Sequence, residues 1–332
     1  MRISKEGLLS AAEATGFRPE MLEKAMLLLR LLEALFRHPF LKNRLVLKGG
    51  TALNLFLADL PRLSIDLDLN YVGSPKREVM RAERPKVEEA IRAVCEREGF
   101  TIRRLPSEEE HAGGKWSLRY ESALGAGGNL AIDLNYMYRI PLWSLELRDS
   151  CSIGTVQARG IPVLDLHELA AGKLVALLSR KASRDLFDVH LLLTSMDFNR
   201  ERLRLAFVVY GAMSRHDWRK VGIHDVDFHE KDLRDQLLPL LRRNFVDSVG
   251  DVHTWAVRIV EECRERLAYL LPLTDTEMEF LNRLLDHGEI KPSLLTQDEN
   301  LAERIRHHPM LRWKALNVRK HKGLKQCLGL TV

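Results

Sequence analysis

No uninterrupted apolar run in the chain approaches the ~18 to 20 residues that cross a bilayer. The opening Met1-Arg2-Ile3-Ser4-Lys5-Glu6 leads into no signal-peptide core. The expectation is a cytoplasmic protein with no membrane partner. Cysteine is scarce. Its four copies, Cys95, Cys151, Cys263 and Cys327, show no CxxC spacing, which argues against a zinc knuckle and against a disulfide framework. Internal repeats and low-complexity linkers are also missing, so the halves of the chain meet at a change of structural class rather than at a floppy joint.

What is present is ordinary globular material, 332 residues with 45% apolar and 29% charged content, enough for one large domain or two ordinary ones. The net charge of +5 is unevenly placed. Residues 301–332 hold eight Lys and Arg against Glu303 alone, a local +7 that leaves −2 for the rest. Such a basic segment suits a polyanionic partner, and neutralising Arg312, Lys314, Arg319 and Lys320 is the direct way to test it. The neighbouring His307, His308 and His321 read as surface histidines, and Trp313 as a packed aromatic.

The first ~40 residues carry apolar positions at helical spacing. Leu45-Val46-Leu47 is then a short strand, ended by Lys48-Gly49-Gly50-Thr51 and a helical Ala52–Leu57. After Pro61, the segment Ser64–Tyr71 alternates: Ile65, Leu67, Leu69 and Tyr71 take one face, and Asp66, Asp68 and Asn70 the other. A charged helix over about 76–98 closes at Gly99. Strands are expected at 101–103, 116–120 and 129–136, the last again setting Leu130, Ile132 and Leu134 against Asp133 and Asn135. From about Val163 the pattern is helical. Asp165 and Glu168 have capping-box spacing, Ser183 is placed to cap a helix through Leu193, and further helices are expected near 200–214, 230–243, 251–271 and 275–287.

Two strands therefore each offer acids on a face away from the core. Residues i and i+2 on a strand lie ~6.5 to 7 Å apart and point the same way, so Asp66 and Asp68 can converge on a hard cation. Magnesium fits, since it takes a few carboxylates together with substrate phosphates. Asp133 could add a third carboxylate, as in-line phosphoryl chemistry at two metals requires. Gly49 and Gly50 lie between strand and helix, where backbone N–H groups can approach a phosphate unobstructed. Arg62 and Ser64 flank the acids, either contacting phosphates or lying on a plain surface. Lys173 shares an apolar helix stripe with Leu166, Leu169, Ala170 and Leu177, so its ammonium needs an anion, either a protein carboxylate or a nucleotide phosphate. Asp185 and Asp188, at i and i+3 on the next helix, are within its reach.

Lys48-Gly49-Gly50-Thr51-Ala52-Leu53, followed by Arg62-x-Ser64-x-Asp66-x-Asp68-Leu69, resembles the AbiEii/AbiGii-type, MenT-like nucleotidyltransferase toxins, a branch of the DNA polymerase beta-like nucleotidyltransferase superfamily. The stretch Asp165–Leu174, with its lysine at Lys173, and Arg184-Asp185-Leu186-Phe187-Asp188 are similar to that family's later motifs. His308-Pro309 to Trp313-Lys314 resembles its C-terminal segment.

The resemblance implies an α+β fold. Residues 1–155 would hold N-terminal helices and a nucleotidyltransferase core with a small mixed sheet, and residues 156–332 a helical domain completing the active-site cleft, with the basic segment 301–332 at its end. It also implies NMP transfer from an NTP with magnesium or manganese. Asp66, Asp68 and Asp133 would serve as metal ligands, with Asp133 alternatively a general base, and Gly49, Gly50 and Thr51 would hold phosphates. Lys173 would stabilise phosphate charge, while Asp185 and Asp188 would position that lysine or the nucleotide. The acceptor implied is the tRNA 3′ end, and the partner an antitoxin encoded alongside that need not form a stable complex. Two rivals stand beside this reading: a nucleotidyltransferase modifying a protein or small molecule, and a non-catalytic NTP- or RNA-binding protein.

Overall fold

The computed structural model describes residues 3–107 and 112–323; Cys327 and the end of the basic segment lie outside them. The fold is α+β, with an N-terminal mixed sheet of seven strands and its helices followed by a mostly helical region. Contacts divide the chain into two compact units. The first comprises Met1–Arg139, Leu145–Leu164 and Arg234–Val252, and the second Ile140–Ser144, Asp165–Leu233 and His253–Val332. Among the described residues no helix is long and apolar enough to cross a membrane. Cys95, Cys151 and Cys263 are free thiols.

In the first unit, helices α1 (Lys5–Thr15) and α2 (Pro19–Arg37) precede β1 (Leu45–Lys48) and the short helix α3 (Gly49–Ala52), which widens into a π turn over Leu53–Leu57. Strand β2 (Asp66–Tyr71) and helix α4 (Arg77–Arg97) follow, then β3 (Thr101–Arg104), β4 (Gly113–Glu121), β5 (Gly127–Asn135), β6 (Glu146–Arg148) and β7 (Ile161–Val163). The sheet order is β3-β4-β5-β2-β1-β7-β6. Strand β2 runs antiparallel to β1 and parallel to β5, and β4 pairs antiparallel with β5. The alternation seen in the sequence decides which face is covered. Leu67, Leu69, Tyr71, Trp116, Leu118, Ile132 and Leu134 are all buried, and α2 packs on β2 and β5. Glu23, buried on α2, accepts hydrogen bonds from Ser122 Oγ and the Ala123 N–H, both at 2.6 Å, tying that helix to the β4–β5 turn.

The second unit begins with α5 (Leu166–Arg180), α6 (Ser183–Ser195) and α7 (Arg200–Met213). Several local expectations change here. Asp165 does cap α5, through the His167 N–H at 2.8 Å, but Glu168 does not close a capping box. Its buried carboxylate instead accepts from the Trp143 N–H at 3.2 Å and from Tyr210 Oη at 2.9 Å. Ser183 is the first residue of α6 rather than its cap, and its N–H is taken by Asp232 Oδ2 at 2.7 Å. The helix expected at 230–243 ends at Leu240 and changes pitch on the way, α over Glu230–Asp232, π over Leu233–Leu237 and 3-10 over Leu238–Leu240, where Pro239 has no N–H to donate to the ladder.

The C-terminal helices Glu299–His307 and Pro309–His321 correct three further expectations. His308 is buried and caps the second of them, accepting the Met310 N–H at 3.3 Å. Trp313 is not packed but 49% exposed. The basic residues are largely engaged within the unit: Arg319 is buried with Nε on the Gly288 carbonyl at 2.9 Å, Lys314 donates to the Ser214 carbonyl, and Lys322 pairs with Asp286 at 3.2 Å.

Candidate active site

The turn after β1 is built around Gly49, whose φ of +74° lies in the left-handed region that side chains avoid. A Cβ there would also sit 2.2 Å from Asp68 Oδ2. Glycine at this position therefore serves a close approach, bringing the backbone of the turn against the Asp68 carboxylate. The turn is held to β2 by Thr51, fully buried, whose Oγ1 donates to the Asp66 carbonyl at 2.6 Å and is hydrogen-bonded to Ser64 Oγ at 2.9 Å. Asn54 Nδ2 donates to the Gly50 carbonyl at 3.0 Å. Arg62 is buried too, with Nη1 on the Leu63 carbonyl at 2.8 Å. Thr51, Ser64 and Arg62 thus act in this structure as ties of the turn and of the approach to β2.

The strand registers place the acids. Asp68 lies opposite Asp133 across the parallel β2–β5 pair, Lys48 opposite Asp68 across β1–β2, and Lys115 opposite Asp133 across β4–β5. Directly opposed residues of neighbouring strands share a face of the sheet. One row across four strands therefore reads Lys48, Asp68, Asp133, Lys115, two acids between two cations. Asp66 stands two positions along β2 on the same face, 4.0 Å from Lys115 Nζ. Burial raises the Asp133 carboxyl above its ordinary range; Lys48 and Lys115 oppose that rise, while Asp68 and Asp66 add to it. Neither lysine was assigned a role from sequence. The signal for Lys115 was its place in the alternation Lys115, Ser117, Arg119 against Trp116, Leu118, Tyr120, but its meaning comes only from the register with β5.

Among the described residues, no three His, Cys, Asp or Glu side chains converge on a point that a metal ion could occupy. The donor chemistry nonetheless suits a hard cation, with three carboxylates on one sheet face and no sulfur or imidazole among them. Two of the three, Asp68 and Asp133, are on neighbouring strands in register.

Within the second unit, Lys173 on α5 meets Asp185 Oδ1 at 3.1 Å and Asp188 Oδ2 at 2.7 Å on α6. Arg180 Nε adds a bond to Asp185 Oδ2 at 2.6 Å. Burial works to raise the Asp185 carboxyl, but Lys173 and Arg180 outweigh it and hold it below the usual carboxylate range. The Lys173 ammonium is thus paired with two protein carboxylates.

A family model described as the nucleotidyl transferase AbiEii toxin of type IV toxin-antitoxin systems matches residues 30–260. The chain belongs to the AbiEii nucleotidyltransferase toxin family. Its match takes in the Gly49 turn, the three acids and the Lys173 cluster. Among solved structures, MenT4, a nucleotidyltransferase toxin of Mycobacterium tuberculosis H37Rv, is similar in fold, with a TM-score of 0.58 at 21% identity over 94% of this chain and 98% of that one. No curated protein matches the chain. Family membership brings an NTP as substrate and an antitoxin as counterpart.

Proposed function

We propose that this nucleotidyltransferase toxin transfers NMP from an NTP to RNA, at the 3′ end of tRNA, in a magnesium- or manganese-dependent reaction that blocks growth. The observation that carries the reading is the row of Asp68 and Asp133 in register, with Asp66 beside them, next to a glycine turn that brings backbone against Asp68.

In this reading Asp66 and Asp68 hold the metal ion, which when bound neutralises charge on the departing pyrophosphate. Asp133 completes that set or takes the proton of the acceptor hydroxyl. Gly49 and Gly50 offer backbone N–H groups to phosphate, and Thr51, Arg62 and Ser64 hold that turn in place. Lys173, positioned by Asp185 and Asp188, is the further cation assigned to phosphate charge. The antitoxin is encoded alongside and need not form a stable complex with the toxin.

Incubation with labelled NTPs, magnesium and either total RNA or total protein tests the reading. Label should enter RNA, and Asp66→Ala or Asp68→Ala should abolish both incorporation and toxicity. Label in the protein pool, or full activity in either variant, would overturn it.

A further inference from the structure

The acid face carries an unexplained cation. Lys115 projects from β4, in register with Asp133, and its Nζ lies 4.0 Å from Asp66 Oδ1. Three carboxylates on adjacent positions repel one another, so a cation beside them lowers the cost of their proximity. Two features show that this cation is not a fixed structural tie. The Lys115 side chain is 65% exposed, and a separation of 4.0 Å is too long for a hydrogen bond. The Lys173 ammonium makes the contrast: 12% exposed and 2.7 Å from its nearer carboxylate, it is locked where Lys115 is loose. Exposed pairs of this kind are held by little, so the ammonium can exchange partners at small cost.

We infer that Lys115 is an exchangeable counter-ion that leaves Asp66 when a divalent cation arrives and then contacts the triphosphate that enters with it. The inference rests on the metal and NTP reading above and adds a residue to it. A doubly charged ion arriving at Asp66 and Asp68 competes directly with the ammonium for the same oxygens. The displaced lysine, on a long flexible stem at the edge of the acid row, then faces the anion that the ion carries. Lys48 occupies the opposite end of that row but is half-buried, which marks it as the less mobile of the two.

The consequence is a pair of effects of opposite sign. Removing the ammonium should tighten metal binding in the absence of nucleotide and weaken nucleotide binding in the presence of metal. Manganese titration of the full chain, followed by the EPR signal of the unbound ion, reads the first effect. Calorimetric titration with each of the four α,β-methylene nucleoside triphosphates and manganese reads the second. For Lys115→Met we expect manganese alone to bind about two- to fivefold tighter and the triphosphate about two- to fivefold weaker, the range that a loosely paired surface charge supports. Lys115→Arg should restore both toward wild type.

Unchanged affinities in Lys115→Met, a change in only one of them, or two changes of the same sign would overturn the inference. Failure of the wild-type chain to bind manganese or any of the four analogues would instead overturn the metal and NTP reading on which it stands.

Discussion

Lys173, to which the proposed mechanism gives the triphosphate charge, is also a structural residue. Its two partners are 1% and 0% exposed, and removing one member of a buried ion pair leaves an uncompensated charge, which typically costs about 3–5 kcal/mol. Lys173→Met should therefore lower the midpoint of denaturant unfolding substantially, and adding Asp188→Asn should recover part of that loss. Activity lost in the single variant says nothing about catalysis until the double variant has been folded and assayed. Glu168, in the same unit, behaves in the opposite sense. Burial pushes its carboxyl up to about 7, against the pull of the Trp143 and Leu142 N–H groups and the Tyr210 hydroxyl. Because the folded state then holds its proton longer than the unfolded chain, stability falls as pH rises from the ordinary glutamate range through about 7, and levels off above. The difference in stability between wild type and Glu168→Gln, followed from pH 4 to 9, should show that slope. Asp185, held low, contributes stability that is present at neutral pH and lost only on acidification.

At the scale of elements, the strand-turn-helix around Gly49 and the alternation within β2 and within β5 were legible because their logic is local, whereas the pairing of β2 with β5 and its register joins distant segments and was not. Alternation of apolar and acidic residues fixes which face of β2 and β5 is covered, and a Gly-Gly step between strand and helix marks a close approach. Elements read through helix capping fared less well. Glu168 has the right spacing for a capping box, yet its carboxylate is claimed by Trp143 and Tyr210 from other parts of the chain. Ser183 cedes its capping role to Asp232, 49 residues downstream. Lys115 is not legible in the sequence, because a register partner cannot be read from one strand. The turn itself yields a prediction. Thr51→Val removes a buried donor from the Asp66 carbonyl and should cost about 1–3 kcal/mol, measured by chemical unfolding, with a larger relative loss of NMP transfer because the strand carrying Asp66 and Asp68 loses its tie. Gly49→Ala should abolish transfer outright, since the new methyl group both strains the backbone and displaces the Asp68 carboxylate.

For the whole molecule, the basic C-terminal segment reads differently once folded. Charge counting marks residues 301–332 as a polyanion-binding region, but Arg319 and Lys314 hold carbonyls of their own unit, and neutralising them tests stability more than RNA contact. Exposure redirects the experiment to Trp313 and Lys320, seven residues apart on one helix and both exposed. Under the RNA reading, Trp313→Ala with Lys320→Glu should weaken RNA binding and flatten its salt dependence while leaving thermal stability close to wild type.

The make-up of the first unit has a consequence for synthesis. The Leu63 N–H, just before the acidic strand, is taken by the Leu240 carbonyl at 2.9 Å, the Arg243 N–H by the Gly16 carbonyl at 2.9 Å, and Arg242 reaches the Thr15 and Leu60 carbonyls. A ribosome that has translated the entire sheet has still not released the segment that completes it. The sheet-bearing unit of this toxin stays unfinished until about three-quarters of the chain has emerged, so messages cut short anywhere before residue 234 should yield products that proteases clear rather than partial toxins.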